Sequence, residues 1–257
     1  MKRALCLMLL TAFLFLAGCG TAPVRKEPEI PAQRPVSEYV NPDVAYAIDV
    51  FDPWEPMNRR IYNFNAIFDE YVFLPVVRAY EFVLPDIAQT GVSNFFRNLT
   101  EITNLMNSLL QFKIEKAVNT FGRIVINSTV GLVGFIDVAT TVDGIERENE
   151  DFGQTLGFYG LGPGPYLVLP ILGPSNVRDT AGLVVDTVVY SIMMQELIGI
   201  TGMDSPEDDI LNYSLTAIYA IDKRHTESFR YFMTGSPFEY DLVRRLYLLK
   251  REFLIDN

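Results

Sequence analysis

The sequence has 257 residues, 49% of them hydrophobic, with 21 basic against 32 acidic side chains and a formal net charge of −11. That length supports one ordinary domain or two small ones, and a pI near 4.6 leaves no basic surplus for phosphate backbones, which excludes a typical nucleic-acid binder. A mean hydropathy of +0.16 is high for a chain folded in water and low for a bundle of membrane-spanning helices.

Residues 1–18 read as a lipoprotein signal peptide. Lys2 and Arg3 are followed by an apolar run from Ala4 to Leu16, too short to span a bilayer, and then by Leu16-Ala17-Gly18-Cys19. This looks like a bacterial lipobox, which makes Cys19 the acylated residue. Cys6 leaves with the signal, so no disulfide or thiolate metal site remains. Processing removes two bases and no acid, leaving 19 basic and 32 acidic side chains, a net −13. Attachment to a membrane then rests on acyl chains and apolar contact rather than on charge. Gly20, not Asp, follows Cys19, which points to the outer membrane of a Gram-negative cell.

Residues 19–51 form a tether carrying Pro23, Pro28, Pro31, Pro35 and Pro42. Helical periodicity then begins: Asp52-Pro53 as a helix start, and Trp54, Met57, Ile61, Phe64, Phe68 and Tyr71 as one face, ended by Pro75. Further helices are expected over Val76–Val83, over Asp86–Asn98 with Phe95 and Phe96 inward, and near Ala117–Ser128. The clearest apolar stripe is Ile102, Leu105, Met106, Leu109 and Leu110, continuing through Ile114 and Val118. Phe158-Tyr159 and Tyr166 to Leu169 read as β-prone arms around the turn Gly160-Leu161-Gly162-Pro163-Gly164-Pro165. Gly160, Gly162, Gly164, Pro165 and Tyr166 are therefore candidates for a hinged flap or a static surface hairpin. Ser175 or Asn176 caps a helix to about Ile198, in which Leu183–Met194 is apolar nearly all round, fitting a core helix or a lipid-facing one. A long helix opens near Ser205 and ends before Gly235, and residues 236–257 hold a last one. The class is all-α with one short β-like hairpin.

Catalytic and metal motifs are missing. His225 is a lone histidine in a charged stretch, and there is no G-x-S-x-G, H-E-x-x-H or Cys/His cluster. The glycines at 160–164 lack a following lysine, and Pro163 and Pro165 remove amides that a phosphate loop needs. The chain reads as a non-enzyme without cofactor or metal.

Ordered blocks then carry a resemblance. Asp52-Pro53-Trp54-Glu55-Pro56-Met57-Asn58-Arg59, Tyr62-Asn63-Phe64-Asn65, Asn94-Phe95-Phe96-Arg97-Asn98-Leu99, Asn127-Ser128-Thr129 and Asp151-Phe152-Gly153-Gln154-Thr155-Leu156-Gly157 resemble the MlaA/VacJ lipoproteins, as do Gly164-Pro165-Tyr166 and Gly173-Pro174-Ser175. The resemblance implies a ring of amphipathic helices lying in the inner leaflet of the outer membrane, spread over 52–235, around a polar channel. It implies a non-enzymatic route by which mislocalised glycerophospholipids leave the outer leaflet for a periplasmic carrier of the MlaC type, with outer-membrane porin trimers as partners. It also makes the Gly160–Pro165 segment a mobile element at the channel. Polar groups within a membrane are costly and therefore functional candidates, which nominates Arg123, Asn127, Asp137 and Asp186 as channel lining. Each has a structural rival: an ion pair for Arg123, a cap for Asn127, a turn for Asp137. Two other readings stay open, a porin-associated scaffold without transport and a membrane-bound lipid hydrolase.

Overall fold

From Glu55 to Val83 the chain is helical without a break, because a proline is accommodated instead of ending the run. The computed structural model describes residues 50–200 and 207–257. The expected signal peptide, Cys19, most of the tether and the helix start near Ser205 lie outside the described residues. Helix α1 (Glu55–Phe68) passes through a π-helical turn, Asp69–Phe73, into α2 (Leu74–Val83). Pro75 cannot donate a backbone hydrogen bond, and its ring would press on the carbonyl of Tyr71. The widened turn relieves both problems, so Pro75 opens α2 instead of closing α1. Leu84, extended before Pro85, is the real stop.

Helix α3 (Asp86–Leu110) joins two segments that the sequence suggested were separate. It reverses at Phe112, whose φ of 57° is left-handed, and α4 (Ile114–Thr129) runs back alongside it. A loop at 130–136 and a 3-10 turn, Ala139–Thr141, lead to α5 (Phe152–Phe158), whose first turn Asp151 caps by accepting the Gln154 amide.

The hairpin lies further along than the sequence indicated. Phe158 ends α5 and is not a strand arm, and Gly160 (φ 84°) terminates that helix. Its amide bonds to the Gly157 carbonyl and the Leu161 amide to the Leu156 carbonyl, a Schellman stop that needs a left-handed residue. The strands are β1 (Tyr166–Leu169) and β2 (Gly173–Asn176), antiparallel with Tyr166 opposite Asn176 and Leu169 opposite Gly173, turning through Pro170-Ile171-Leu172.

Helix α6 (Val177–Ile200) opens on a reciprocal cap: Asn176 accepts the Asp179 amide and donates its own amide to the Asp179 carboxylate. Gly182 of α6 meets Gly153 of α5 so closely that a Cβ on Gly182 would lie 2.2 Å from the Gly153 nitrogen. Helix α7 (Glu207–Thr226) ends earlier than expected, and an irregular stretch precedes α8 (Glu239–Asp256).

Two interiors result. Tyr62, Tyr166, Val168 and Tyr240 form an aromatic core, with Tyr231, Phe232 and Tyr247 packed on it. Along α3 and α4 the inside is polar: Glu101, Asn104, Asn107, Ser108, Thr120, Arg123 and Asn127 are buried. The apolar stripe faces outward, with Ile102, Leu109, Leu110, Ile114 and Val118 all exposed, Val118 by 63%. Among the described residues no helix is long and apolar enough to cross a membrane.

Candidate functional site

The polar interior is assembled from residues three and four apart on α3, which share one helix face. Glu101, Asn104, Asn107, Ser108 and Gln111 form that stripe, and each is at least nine-tenths buried. At one end the Arg123 guanidinium from α4 donates through Nε to Glu101 at 3.0 Å and through Nη2 to both oxygens of Asp137 at 3.0 and 2.9 Å. Asn127 donates to Asp137 and accepts the Ala139 amide, fixing the loop that follows α4. Arg147 adds a second cation 3.7 Å from Glu101. Buried charges of this kind hold only when fully paired, and the set is close to saturated.

At the other end, Asn107 bridges α3 to Asp186 of α6 at 3.1 Å and accepts the Thr155 hydroxyl of α5 at 2.8 Å. Asp186 also receives the Phe152 amide at 2.9 Å, so it helps cap α5. Burial pushes the Asp186 carboxyl above the usual range, although these two donors pull it back. Gln111 donates to Glu150 and Thr155, and Lys113 and Lys116 close on Glu150 from the periphery. Ser108 Oγ, Gln111 Oε1 and Thr120 Oγ1 are buried within this seam without a protein partner. Such groups are uncommon in a well-packed interior.

The hairpin is held to α1 by two asparagines seven residues apart, hence on one face. Asn58 donates to the Tyr166 carbonyl at 3.0 Å and accepts the Val168 amide at 2.9 Å. Asn65 repeats this with the Leu169 carbonyl and the Ile171 amide at 2.9 and 2.7 Å. Asp52 does not cap α1; its carboxylate takes Asn58, the Tyr240 hydroxyl and Arg244. A further cluster ties α5, α6 and α8 together, with Arg251 bonded to Asp151 and Asp179. Among the described residues no group of three His, Cys, Asp or Glu is placed to hold a metal ion.

A family model described as "MlaA lipoprotein" matches residues 50–254. The chain belongs to the MlaA lipoprotein family. Within MlaA lipoproteins, it is 40% identical over 138 residues to the intermembrane phospholipid transport system lipoprotein MlaA of Escherichia coli (strain K12), covering 52% of this chain and 55% of that one. The protein of the same name from Haemophilus influenzae (strain ATCC 51907 / DSM 11121 / KW20 / Rd) is 34% identical over 148 residues, covering 57% and 59%. An uncharacterised protein of Rickettsia prowazekii (strain Madrid E) is 35% identical over 147 residues, covering 57% and 58%. The chain thus spans little more than half the length of these curated relatives. A solved structure described as "Structural basis for maintenance of bacterial outer membrane lipid asymmetry" superposes with a TM-score of 0.60 at 28% identity, covering 79% of this chain and 98% of that one.

On this MlaA fold the nominated residues separate into two groups. Arg123, Asn127 and Asp137 form one cluster, whereas Asp186 belongs to the other end of the seam with Asn107 and Phe152. Gly160, Gly162, Gly164 and Pro165 make the connection from α5 to β1, and a Cβ on Gly162 would meet nothing within 4 Å. The carbonyls of Leu161, Pro163 and Pro165 are nevertheless held by Arg178 and the Val177 and Arg178 amides. Tyr166 is buried in the aromatic core. Sequence reasoning passed over Glu101, Asn104, Arg147 and Glu150. The first two were detectable as polar residues at helical spacing, but the last two reach the seam only through the loop before α5.

Proposed function

We propose that this chain is a non-enzymatic phospholipid conduit of the bacterial outer membrane. In this reading it is anchored by lipid on Cys19 and seated among acyl chains, and it takes mislocalised glycerophospholipids from the outer leaflet toward a periplasmic carrier of the MlaC type. The observation that carries the reading is the inverted pattern of α3 and α4, whose polar residues are inside and whose apolar residues are outside. A helix in water gains by burying Ile102, Leu109, Ile114 and Val118, at about 25 cal/mol for each Å² of apolar surface. Exposing them while burying Glu101, Asn107 and Arg123 suits a chain whose outer surface meets hydrocarbon and whose inner surface meets headgroups. The names carried by the Escherichia coli and Haemophilus influenzae relatives support phospholipid transport.

Arg123, Asn127, Asp137 and Asp186 are then fixed wall groups of the polar route, held by their partners rather than moving. The Gly160–Pro165 connection hinges at the unconstrained Gly162. Porin trimers supply the neighbouring membrane surface. Outer-leaflet phospholipid in a deletion strain tests the whole: it rises on deletion and returns to normal on re-expression. An unchanged outer leaflet contradicts transport and leaves a porin-associated scaffold, and release of fatty acid from phospholipid by the purified protein contradicts the non-enzymatic reading.

A further inference from the structure

Away from the seam, α3 and α7 enclose an open cleft of about 350 Å³ lined by Asp86, Gln89, Thr90, Ser93, Asn94, Arg97, His225 and Thr226. At 100° per residue, the six α3 members fall on one side of the helix. Most of their polar groups are already occupied. Ser93 donates to the buried Asp222, Gln89 donates to the Glu81 and Leu84 carbonyls, Asn94 donates to the Phe135 carbonyl, and His225 is 2.9 Å from Glu81. Arg97 is the one arginine lining the cleft; it is exposed, its guanidinium makes no ion pair or hydrogen bond among the described residues, and the Asp222 carboxylate that Ser93 holds lies within its electrostatic reach. On a helix its side chain leans back toward Ser93 and Thr90, and the Thr90 side chain, also exposed, lines the same cleft.

The cleft opens beside an apolar corner. Glu81, which holds His225, precedes Phe82 and Val83 at the end of α2, exposed by 91% and 73%; Ile87, at the edge of the cleft face on α3, is exposed by 88%. Its volume is near the lower bound of about 300 Å³ for ligand pockets, which suits a headgroup rather than a whole lipid. A guanidinium is a good bidentate partner for a phosphodiester.

We infer that this cleft is a headgroup site for a glycerophospholipid: Arg97 and Thr90 take the phosphodiester, and the acyl chains lie against Phe82, Val83 and Ile87. The inference rests on the transport reading above and adds a place and a contact to it. Free phosphate shares the headgroup's chemistry but has no use for the apolar corner.

The test is a binding titration of the purified full chain in detergent, read by native mass spectrometry. The probes are a short-chain phosphatidylethanolamine, the diacylglycerol with the same chains, and inorganic phosphate. Arg97→Gln is expected to weaken phosphatidylethanolamine binding at least tenfold, Arg97→Lys to weaken it less, and Phe82→Glu to weaken it while leaving phosphate binding unmoved. Diacylglycerol binding should not respond to Arg97→Gln. Unaltered phosphatidylethanolamine binding by a helical, monodisperse Arg97→Gln protein overturns the assignment. Inorganic phosphate binding as tightly as the lipid, with Phe82→Glu silent, assigns the cleft to free phosphate and also overturns it. If the wild-type chain takes up no phospholipid at all, the transport reading fails too; if it binds phospholipid and transports normally with Arg97→Gln, only the cleft assignment falls.

Discussion

The two interiors of this protein obey opposite solvents. Around the hairpin, Tyr62, Tyr166 and Tyr240 bury their rings, and Tyr62 and Tyr240 donate their hydroxyls to Glu239 and Asp52, as a domain folded in water does. Along α3 and α4 the same chain buries arginine, glutamate and asparagine and exposes isoleucine, leucine, valine and phenylalanine. The first region is stabilised by the hydrophobic effect on its inside. In the second, apolar burial depends on what lies outside, and the interior is held by paired charges and hydrogen bonds. The contrast explains a composition between those of soluble proteins and membrane bundles: the apolar residues divide between a core and a rim.

The contrast can be broken most forcefully at Arg123. Arg123→Leu strands the Glu101 and Asp137 carboxylates and should cost about 3–5 kcal/mol, seen as a lowered unfolding midpoint in detergent; a cost below about 1 kcal/mol would show that the seam is not held by its charges. Replacing Tyr166 by Ala in the aromatic core should cost a similar amount, about 3–5 kcal/mol, but by cavity formation. The Arg123 deficit should shrink when Glu101→Gln and Asp137→Asn are added, whereas the Tyr166 deficit should not. Asn65→Ala leaves the Leu169 carbonyl and the Ile171 amide unpaired, an expected loss of about 1–3 kcal/mol, with faster hydrogen exchange at Ile171 and little change at Ala139 in the seam.

A smaller effect separates the regions by pH. Burial raises the Asp151 carboxyl, but Arg251, bonded to it, more than offsets this and holds it below the usual carboxylate range. A carboxylate depressed in the folded state stabilises at neutral pH, and that contribution fades as pH falls from the unfolded value through the folded one. Asp151→Asn should therefore destabilise the protein at neutral pH and converge on wild type in acid; a pH-independent difference would mean that the pair contributes no charge linkage.

Much of the fold was legible in the sequence because α-helices announce themselves by period. Asn176 was readable as a cap, and Gly and Pro marked real boundaries. Periodicity gives a helix two faces but not the identity of the solvent, so the stripe of Ile102 and Leu109 was legible while its direction was not; the interior holds Glu101 and Asn107, and the stripe faces outward. Pro75 failed as a stop because a π-turn absorbs it. The hairpin was displaced because Gly160 acts as a helix terminator and Asn58 and Asn65, distant in sequence, select the true strands. Of the site, Arg123, Asn127 and Asp137 were nominated individually, and only three-dimensional packing shows them to be one cluster apart from Asp186.

The most direct test of the inverted half is the environment of its outer face. Nitroxide labels at Val118 and Val125 on α4, and at Arg245 on α8 for comparison, would be read in phospholipid vesicles for relative exposure to oxygen and to a water-soluble nickel chelate. The account predicts high oxygen and low nickel accessibility at Val118 and Val125, with the reverse at Arg245. Equal, water-like accessibility at all three sites would contradict it.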